Sequence, residues 1–521
     1  MSRQLNVLFS SLKMAIATFC SRILGLVREQ VLAFYFGASG FTDAFLIAYR
    51  IPNLLRDLFA EGAFSAAFVP VFVEARGISQ EEARKLLWKL FILLGVVTLT
   101  IGVITFVFAP EIVNLFAPTF YKDPEKFELT VLLTRIMSPF LCFVSIAALF
   151  MGALNSLKVF FIPSLAPAFF NVTMILSMLI FPSYLIAHNL NPIVSVALGV
   201  FIGGLVQAFV QIPLIYKKGF GPRRTGPLLT YESKKVFKKL GPGLVGFAAT
   251  QLNLLVNTIL ASMSAVGAVS WLSYAFRLFQ LPVGILSVSI GNSNLVHFSD
   301  AWKRKDYDEA REYLASSYFM SLFIVLPAMA ALIIFSDEMI NVIFERGQFS
   351  HFSTEQTAKA LRWYALGLPF YSIYKIFVPT FYTIDREKIP VLCSMGSVAF
   401  NIVFCVTLAP EYGFEILALG TTLSIMLNSF MQGLILKKDI QLAVNTYINL
   451  RVFKILLSLF ITSGLAFYLK QQFDFMSHSF AERCLLLAGY LFVVAASYFF
   501  FAILFGERSL VIKVIRKFMR K

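Results

Sequence analysis

The sequence predicts an all-α polytopic membrane protein with about fourteen transmembrane helices, and three observations predict it. The chain is 58% hydrophobic and only 14% charged, with a mean hydropathy of +0.77, whereas soluble chains carry about 25% charged residues. Its apolar residues, including 57 Phe among 521 positions, gather into runs long enough to cross ~30 Å of hydrocarbon. The charges fall between those runs and alternate in sign from loop to loop. The 45 Lys+Arg against 29 Asp+Glu (net +16) therefore follow the positive-inside pattern and do not point to nucleic acid.

The first run covers 13–36 and contains Arg22 and Arg28. Those arginines and the absence of a clean A-x-A site favour a retained span over a cleaved signal. The second run, 42–74, exceeds the length of one crossing and contains Pro and Gly, so a bend is expected. Further runs follow at 86–109, 128–154, 160–184 and 193–216, completing six in the first part of the chain. Six more lie at 238–263, 268–297, 314–335, 355–382, 389–409 and 414–436, and the last two at 447–469 and 483–505. Ser79-x-x-Glu82 and Ser353-x-x-Gln356 fit the capping box that opens a helix. Cys20, Cys142, Cys393, Cys405 and Cys484 show no paired spacing and are read as apolar thiols.

Loop charges orient the chain. With the N-terminus cytoplasmic, the inner loops hold Arg76, Arg84, Lys85, Lys217, Lys218, Arg223, Arg224, Lys303 to Lys305, Arg386, Lys388, Lys437 and Lys438. The opposite loops hold mainly acids, among them Glu111, Asp123, Glu125, Asp337, Glu338, Glu345 and Glu415. An even number of spans returns the basic tail to the cytoplasm.

The chain also repeats. Arg50 and Arg277, Arg135 and Arg362, and Pro163 and Pro390 are each separated by 227 residues. Six helices lie within that offset, so the halves share an orientation, as in transporters built from parallel repeats around a central cavity. The expected organisation is a six-helix lobe over 1–218, a basic linker over 219–237 and a second lobe over 238–440. Two additional helices over 441–508 and a basic tail over 509–521 complete it.

Arginines inside spans carry the functional signal. Each costs roughly 2.5–3.5 kcal/mol at a helix centre and therefore faces a wet cavity or a partner charge. Arg22 and Glu29 share a helix face, with Arg28 adjoining, and Asp43, Arg50 and Asp57 recur every seven residues with Glu61 one turn on. One reading is that these charges pair between helices and lock the bundle. The other is a cationic chamber for an anion such as a pyrophosphate, which the guanidinium fork binds bidentately. The cations Arg22, Arg28, Arg56 and Arg277 outnumber convenient partners. Catalysis finds little support. His188, His297, His351 and His478 lack metal-ligand spacing, Asp306-Tyr-Asp308 sits where a helix start favours acids, and no Walker loop is present. No cofactor is expected, and coupling to membrane potential or to an ion remains open.

At these residues the sequence resembles the MviN/MurJ family of lipid II flippases, within the multidrug/oligosaccharidyl-lipid/polysaccharide exporter superfamily. The motifs that carry the resemblance are Ser21-Arg-Ile-Leu-Gly-Leu-Val-Arg28, Thr42-Asp-Ala-Phe45, Arg50-Ile-Pro-Asn-Leu-Leu-Arg56 and Phe59-Ala-Glu-Gly-Ala-Phe-Ser65. Val269 to Arg277 and Leu281-Pro-Val-Gly284 match further on. The resemblance implies transfer of undecaprenyl-pyrophosphate-linked disaccharide peptide to the outer leaflet of a bacterial cytoplasmic membrane by alternating access. It also implies substrate-binding roles for Arg22, Arg28, Arg56 and Arg277, and cavity or gating roles for Glu29, Asp43 and Glu61. The last two helices, with small residues Gly464, Ala466, Gly489, Ala495 and Ala496, are implied to hold the polyprenyl tail. Phe276 and Gln280 depart from relatives that carry acids there. The expected partners are lipid II, membrane lipid and cell-wall synthesis proteins. Alternative readings are a flippase for another polyprenyl-pyrophosphate glycan, or a non-transporting scaffold of the cell-wall machinery.

Overall fold

The computed structural model describes residues 3–60, 63–443, 446–447 and 449–512, and within these every regular element is helical. The helices are α1 (Arg3–Phe36), α2 (Gly40–Ala60), α3 (Ala63–Ile78), α4 (Gln80–Val107), α5 (Ala109–Phe116), α6 (Pro124–Met137) and α7 (Phe140–Ser156). Next come α8 (Phe161–Ala187), α9 (Val194–Phe209), α10 (Ile212–Lys217), α11 (Tyr231–Ser264), α12 (Ala268–Pro282) and α13 (Val288–Lys303). The remainder are α14 (Tyr307–Ile334), α15 (Ser336–Phe344), α16 (His351–Leu366), α17 (Leu368–Thr383), α18 (Lys388–Tyr412), α19 (Glu415–Asp439), α20 (Leu450–Gln472) and α21 (Phe480–Leu504).

Among the described residues, nine stretches are long and apolar enough to cross a membrane, and each coincides with one of the predicted runs. The other five runs coincide with helices that carry charges or a break. The long second run is covered by α2 and α3, with Pro52 inside the first and Pro70 inside the second; the bend expected at its Gly62 lies outside the described residues. The run at 268–297 is interrupted by a π-helical turn, Val283–Ser287, directly after Pro282. Proline has no N–H to donate and crowds the preceding turn, which forces the register change.

The 227-residue repeat is visible in the backbone. Shifting α4 by 227 residues gives Tyr307–Ile334, which is α14. The same shift carries the first residues of α5, α6 and α8 onto the first residues of α15, α16 and α18, and the last residue of α7 onto that of α17. Phe108, between α4 and α5, and Phe335, between α14 and α15, have matching dihedrals (φ −93°, ψ 24° and φ −106°, ψ 28°).

Two compact units contain these helices: Met1–Ser270 with Arg346–Phe349, and Trp271–Glu345 with Ser350–Lys521. In the first, α3 presents Phe64, Phe68 and Phe72 at i, i+4 and i+8, all fully buried against α4 and α7. Their rings run in series to Phe220 at centroid separations of 5.7, 5.2 and 5.6 Å. Helix α11 packs on α3 and so groups with this unit. The short segment Arg346–Phe349 docks on the end of α1, where Gln348 N donates to Phe34 O at 2.9 Å. That approach requires glycine on both sides. Gly37 (φ +62°) and Gly347 (φ +58°) are left-handed, and a Cβ on either would lie 2.4 Å from Gln348 O or 2.3 Å from Phe34 O.

In the second unit, Phe298, Phe323, Phe377, Phe381 and Tyr498 form the core between α13, α14, α17 and α21. The final pair, α20 and α21, pack together and on α14. Of Gly464, Ala466, Gly489, Ala495 and Ala496 only Ala466 is buried; Ala495 and Ala496 are exposed, and nothing lies within 4 Å of a Cβ built on Gly464 or Gly489.

Helix starts show where side-chain spacing was and was not sufficient. Ser79 caps α4 by accepting from Glu82 N at 3.0 Å, as expected. The cap of α16 is Ser350, which accepts from Ser353 N at 3.2 Å, so Ser353 lies inside the helix and not at its edge. Asp306 caps α14 and Asp308 pairs with Arg311 at 2.6 Å, which accounts for that acidic pair structurally.

Candidate functional site

Arg28 lies in α1, eight residues before its last residue, roughly 12 Å along the axis at 1.5 Å per residue. It is the centre of the polar cluster in the first unit. Its Nη2 pairs with the buried carboxylate of Glu29, and its Nη1 donates to Asn171 Oδ1 at 3.1 Å with Met174 Sδ at 3.9 Å. Asn171 projects from α8 and is 7% exposed, and its amide donates to Ser21 O at 3.1 Å. One amide therefore ties two turns of α1 to α8 and orients the guanidinium. A carboxamide suits this position because it supplies one acceptor for the arginine and one donor for the carbonyl. Arg56 of α2 lies within electrostatic reach of Arg28 and is half-buried. Arg22 is exposed and takes no part in this cluster, although it shares a helical face with Glu29.

Asp43 serves a different end of the same unit. It is 1% exposed, and its Oδ2 accepts from Gly267 N at 2.6 Å. Its Oδ1 accepts from Ser270 N at 3.0 Å and Ser270 Oγ at 2.7 Å. These are the donors at the first turn of α12, which no intrahelical carbonyl satisfies, and a carboxylate is the favoured charge there. Lys126 Nζ, 3.9 Å from Oδ2, supplies the counter-charge. Arg50, in the same helix as Asp43, donates from Nε to Thr258 Oγ1 of α11 at 3.4 Å. Glu61 lies outside the described residues.

Arg277 lies in α12, in the second unit, half-buried. Its neighbour Phe276 packs against Phe279 and Tyr364 at ring separations of 5.7 and 5.3 Å. Lys375 in α17, not singled out from the sequence, lies over the rings of Tyr371 and Tyr374 at 5.4 and 5.9 Å. Its signal was a lysine inside an apolar run. Asn171, also unanticipated, was a lone amide in another. Among the described residues no cluster of His, Cys, Asp and Glu has a metal-holding arrangement.

A helical membrane chain with repeated halves and arginine in its spans has the fold of the MOP-type transporters. An inward-facing MATE family multidrug transporter superposes with a TM-score of 0.68 at 13% identity, covering 81% of this chain and 94% of that one. A structure described as lipid II flippase MurJ, inward closed conformation, superposes at 0.80 with 28% identity over 96% of this chain and 99% of that one. The family model for lipid II flippase MurJ matches residues 32–486. The protein of Vibrio cholerae serotype O1 described as probable lipid II flippase MurJ is 33% identical over 519 residues, 96% of this chain and 97% of the relative. The lipid II flippase MurJ of Burkholderia cenocepacia is 34% identical over 81% of this chain and 82% of its own. The chain belongs to the MurJ family of lipid II flippases. It is thereby a multi-pass membrane protein of a transporter family and not an enzyme, as the scattered histidines and missing Walker loop led us to expect.

Proposed function

We propose that the chain carries lipid II from the inner to the outer leaflet of a bacterial cytoplasmic membrane by alternating access, with fourteen crossings and both termini cytoplasmic. Arg28 carries the reading. It is a permanently charged fork in a span, held by an amide and one carboxylate, in a chain that matches the flippase family over most of its length. A diphosphate offers more acceptor oxygens than Glu29 does and displaces it from Arg28. The guanidinium of Arg28 then exchanges one anion for another and stays paired throughout. Arg22 and Arg56 serve the same diphosphate during the cycle, and Arg277 is a further substrate-binding residue. Asp43 holds the start of α12 in one of the two access states and releases Gly267 and Ser270 in the other. The open face of α20 and α21, where Gly464, Gly489, Ala495 and Ala496 leave space, takes the polyprenyl tail. The two six-helix lobes, over 1–218 and 238–440, follow the internal repeat.

Acute depletion of the protein, with lipid II measured separately in each leaflet, tests this. Lipid II accumulates on the inner leaflet, and Arg28→Ala or Arg277→Ala fails to clear it although each variant inserts normally. Unchanged leaflet distribution, or full rescue by both variants, overturns the proposal.

A further inference from the structure

The second unit contains a charged pocket that the flipping reading does not use. Its volume is about 410 Å3, and Ile333, Lys359, Arg362, Trp363, Leu366 and Glu415 line it. That size lies within the ~300–1,000 Å3 range of ligand pockets. It opens where three spans end or begin: α14 stops at Ile334, α19 starts at Glu415 and α20 stops at Gln472. Lipid headgroups lie at that level of a bilayer.

Lys359 and Glu415 pair only loosely. Lys359 Nζ is 3.9 Å from Glu415 Oε1, beyond hydrogen-bond range, while Glu415 Oε2 accepts from Trp363 Nε1 at 3.2 Å. Arg362 is fixed by Nε donating to Ser336 Oγ at 2.7 Å and by Nη2 pairing with Asp337. Asp337 is itself shared with Lys470 at 3.5 Å. The lining thus presents two cations beside one carboxylate, together with an indole and two aliphatic side chains. A bare anion would meet Glu415, and a bare amine would meet Lys359 and Arg362.

The internal repeat supplies a control. Residues 227 positions earlier are Leu132, Arg135, Ile136 and His188. Arg135 is retained, donating to Phe106 O at 3.3 Å with its guanidinium 5.6 Å from the Phe106 ring. The partners that make the pocket charged are not. The arginine is common to both halves, whereas Lys359 and Glu415 stand in this half alone and are not required by the scaffold.

We propose that this pocket binds the headgroup of a zwitterionic phospholipid, its phosphate on Lys359 and Arg362 and its primary ammonium on Glu415. Ile333 and Leu366 then meet the glycerol and the first methylenes. The proposal is independent of which lipid-linked cargo the protein moves.

Native mass spectrometry of the full chain in detergent, titrated with phosphatidylethanolamine, phosphatidylglycerol or inorganic phosphate, tests it. Phosphatidylethanolamine adducts form at lower concentration than phosphatidylglycerol adducts, and phosphate alone competes weakly. Lys359→Gln and Glu415→Gln each weaken the phosphatidylethanolamine adduct by roughly tenfold, the loss of one charge-assisted hydrogen bond. Leu366→Trp fills the pocket without touching a charge and has the same effect. Unaltered phosphatidylethanolamine binding in all three variants overturns the site. Equal binding of phosphatidylglycerol together with indifference to Glu415→Gln overturns the zwitterionic assignment.

Discussion

Replacing Asp43 tests the account of the α12 start most directly. The carboxylate accepts three hydrogen bonds, from Gly267 N, Ser270 N and Ser270 Oγ. Asp43→Asn keeps one oxygen for Ser270 but turns an amide donor toward the Gly267 N–H, and it removes the charge facing Lys126. Losing one charge-assisted bond to a buried donor costs about 2 kcal/mol, which is roughly a 30-fold change in the local opening equilibrium. Asp43→Ala removes both acceptor oxygens and with them all three hydrogen bonds, and costs on the order of 4 kcal/mol, roughly a thousandfold. Hydrogen–deuterium exchange on peptides covering 265–272 reads the two amides directly. Exchange accelerates in Asn and accelerates further in Ala, while peptides from α8 and α9 stay unchanged. If the Gly267 and Ser270 amides exchange no faster in either variant, Asp43 does not cap this helix and its proposed part in the transport cycle falls with it.

Asn171→Leu strips Arg28 of its neutral acceptor and Ser21 O of its donor, and costs ~2 kcal/mol. The melting temperature in detergent falls, and the stabilisation conferred by added inorganic pyrophosphate disappears; persistence of that stabilisation would count against Arg28 as an anion ligand. Gly347→Ala places a Cβ 2.3 Å from Phe34 O at φ +58°. It costs at least ~1–3 kcal/mol, seen as faster amide exchange at Gln348. Gly489→Ala, with nothing within 4 Å, leaves stability equal or raises it by ~0.5–1 kcal/mol in the helix interior. A reversed order of the two glycine variants in thermal melting would refute the docking of Arg346–Phe349.

The helical class, the runs and the repeat were legible because a bilayer enforces them through composition and length. Arg28 was legible because a guanidinium in hydrocarbon is too costly to be incidental. Asp43 was visible as a charge, but its principal partners are backbone N–H groups of Gly267 and Ser270, which no side-chain letter announces. Asn171 was invisible for the converse reason: a single amide in an apolar run looks like any small polar residue until α8 is packed on α1. Ser353 was chosen over Ser350 because spacing alone does not tell which of two serines adopts the extended backbone of a cap (φ −75°, ψ 163° at Ser350). The grouping of α11 with the first unit depends on its packing against α3, a long-range contact that a loop composition does not encode.

The starts of α4, α5, α6 and α8 keep the same spacing as those of their counterparts α14, α15, α16 and α18, although the helix ends between them differ by a residue or two. Each residue of an α-helix advances the face by about 100°, so one deletion between those starts would swing everything downstream a quarter-turn off its contacts. Substitution is survivable in this architecture where a net change of length is not, and the two halves share the spacing of these helix starts more closely than the residues around them.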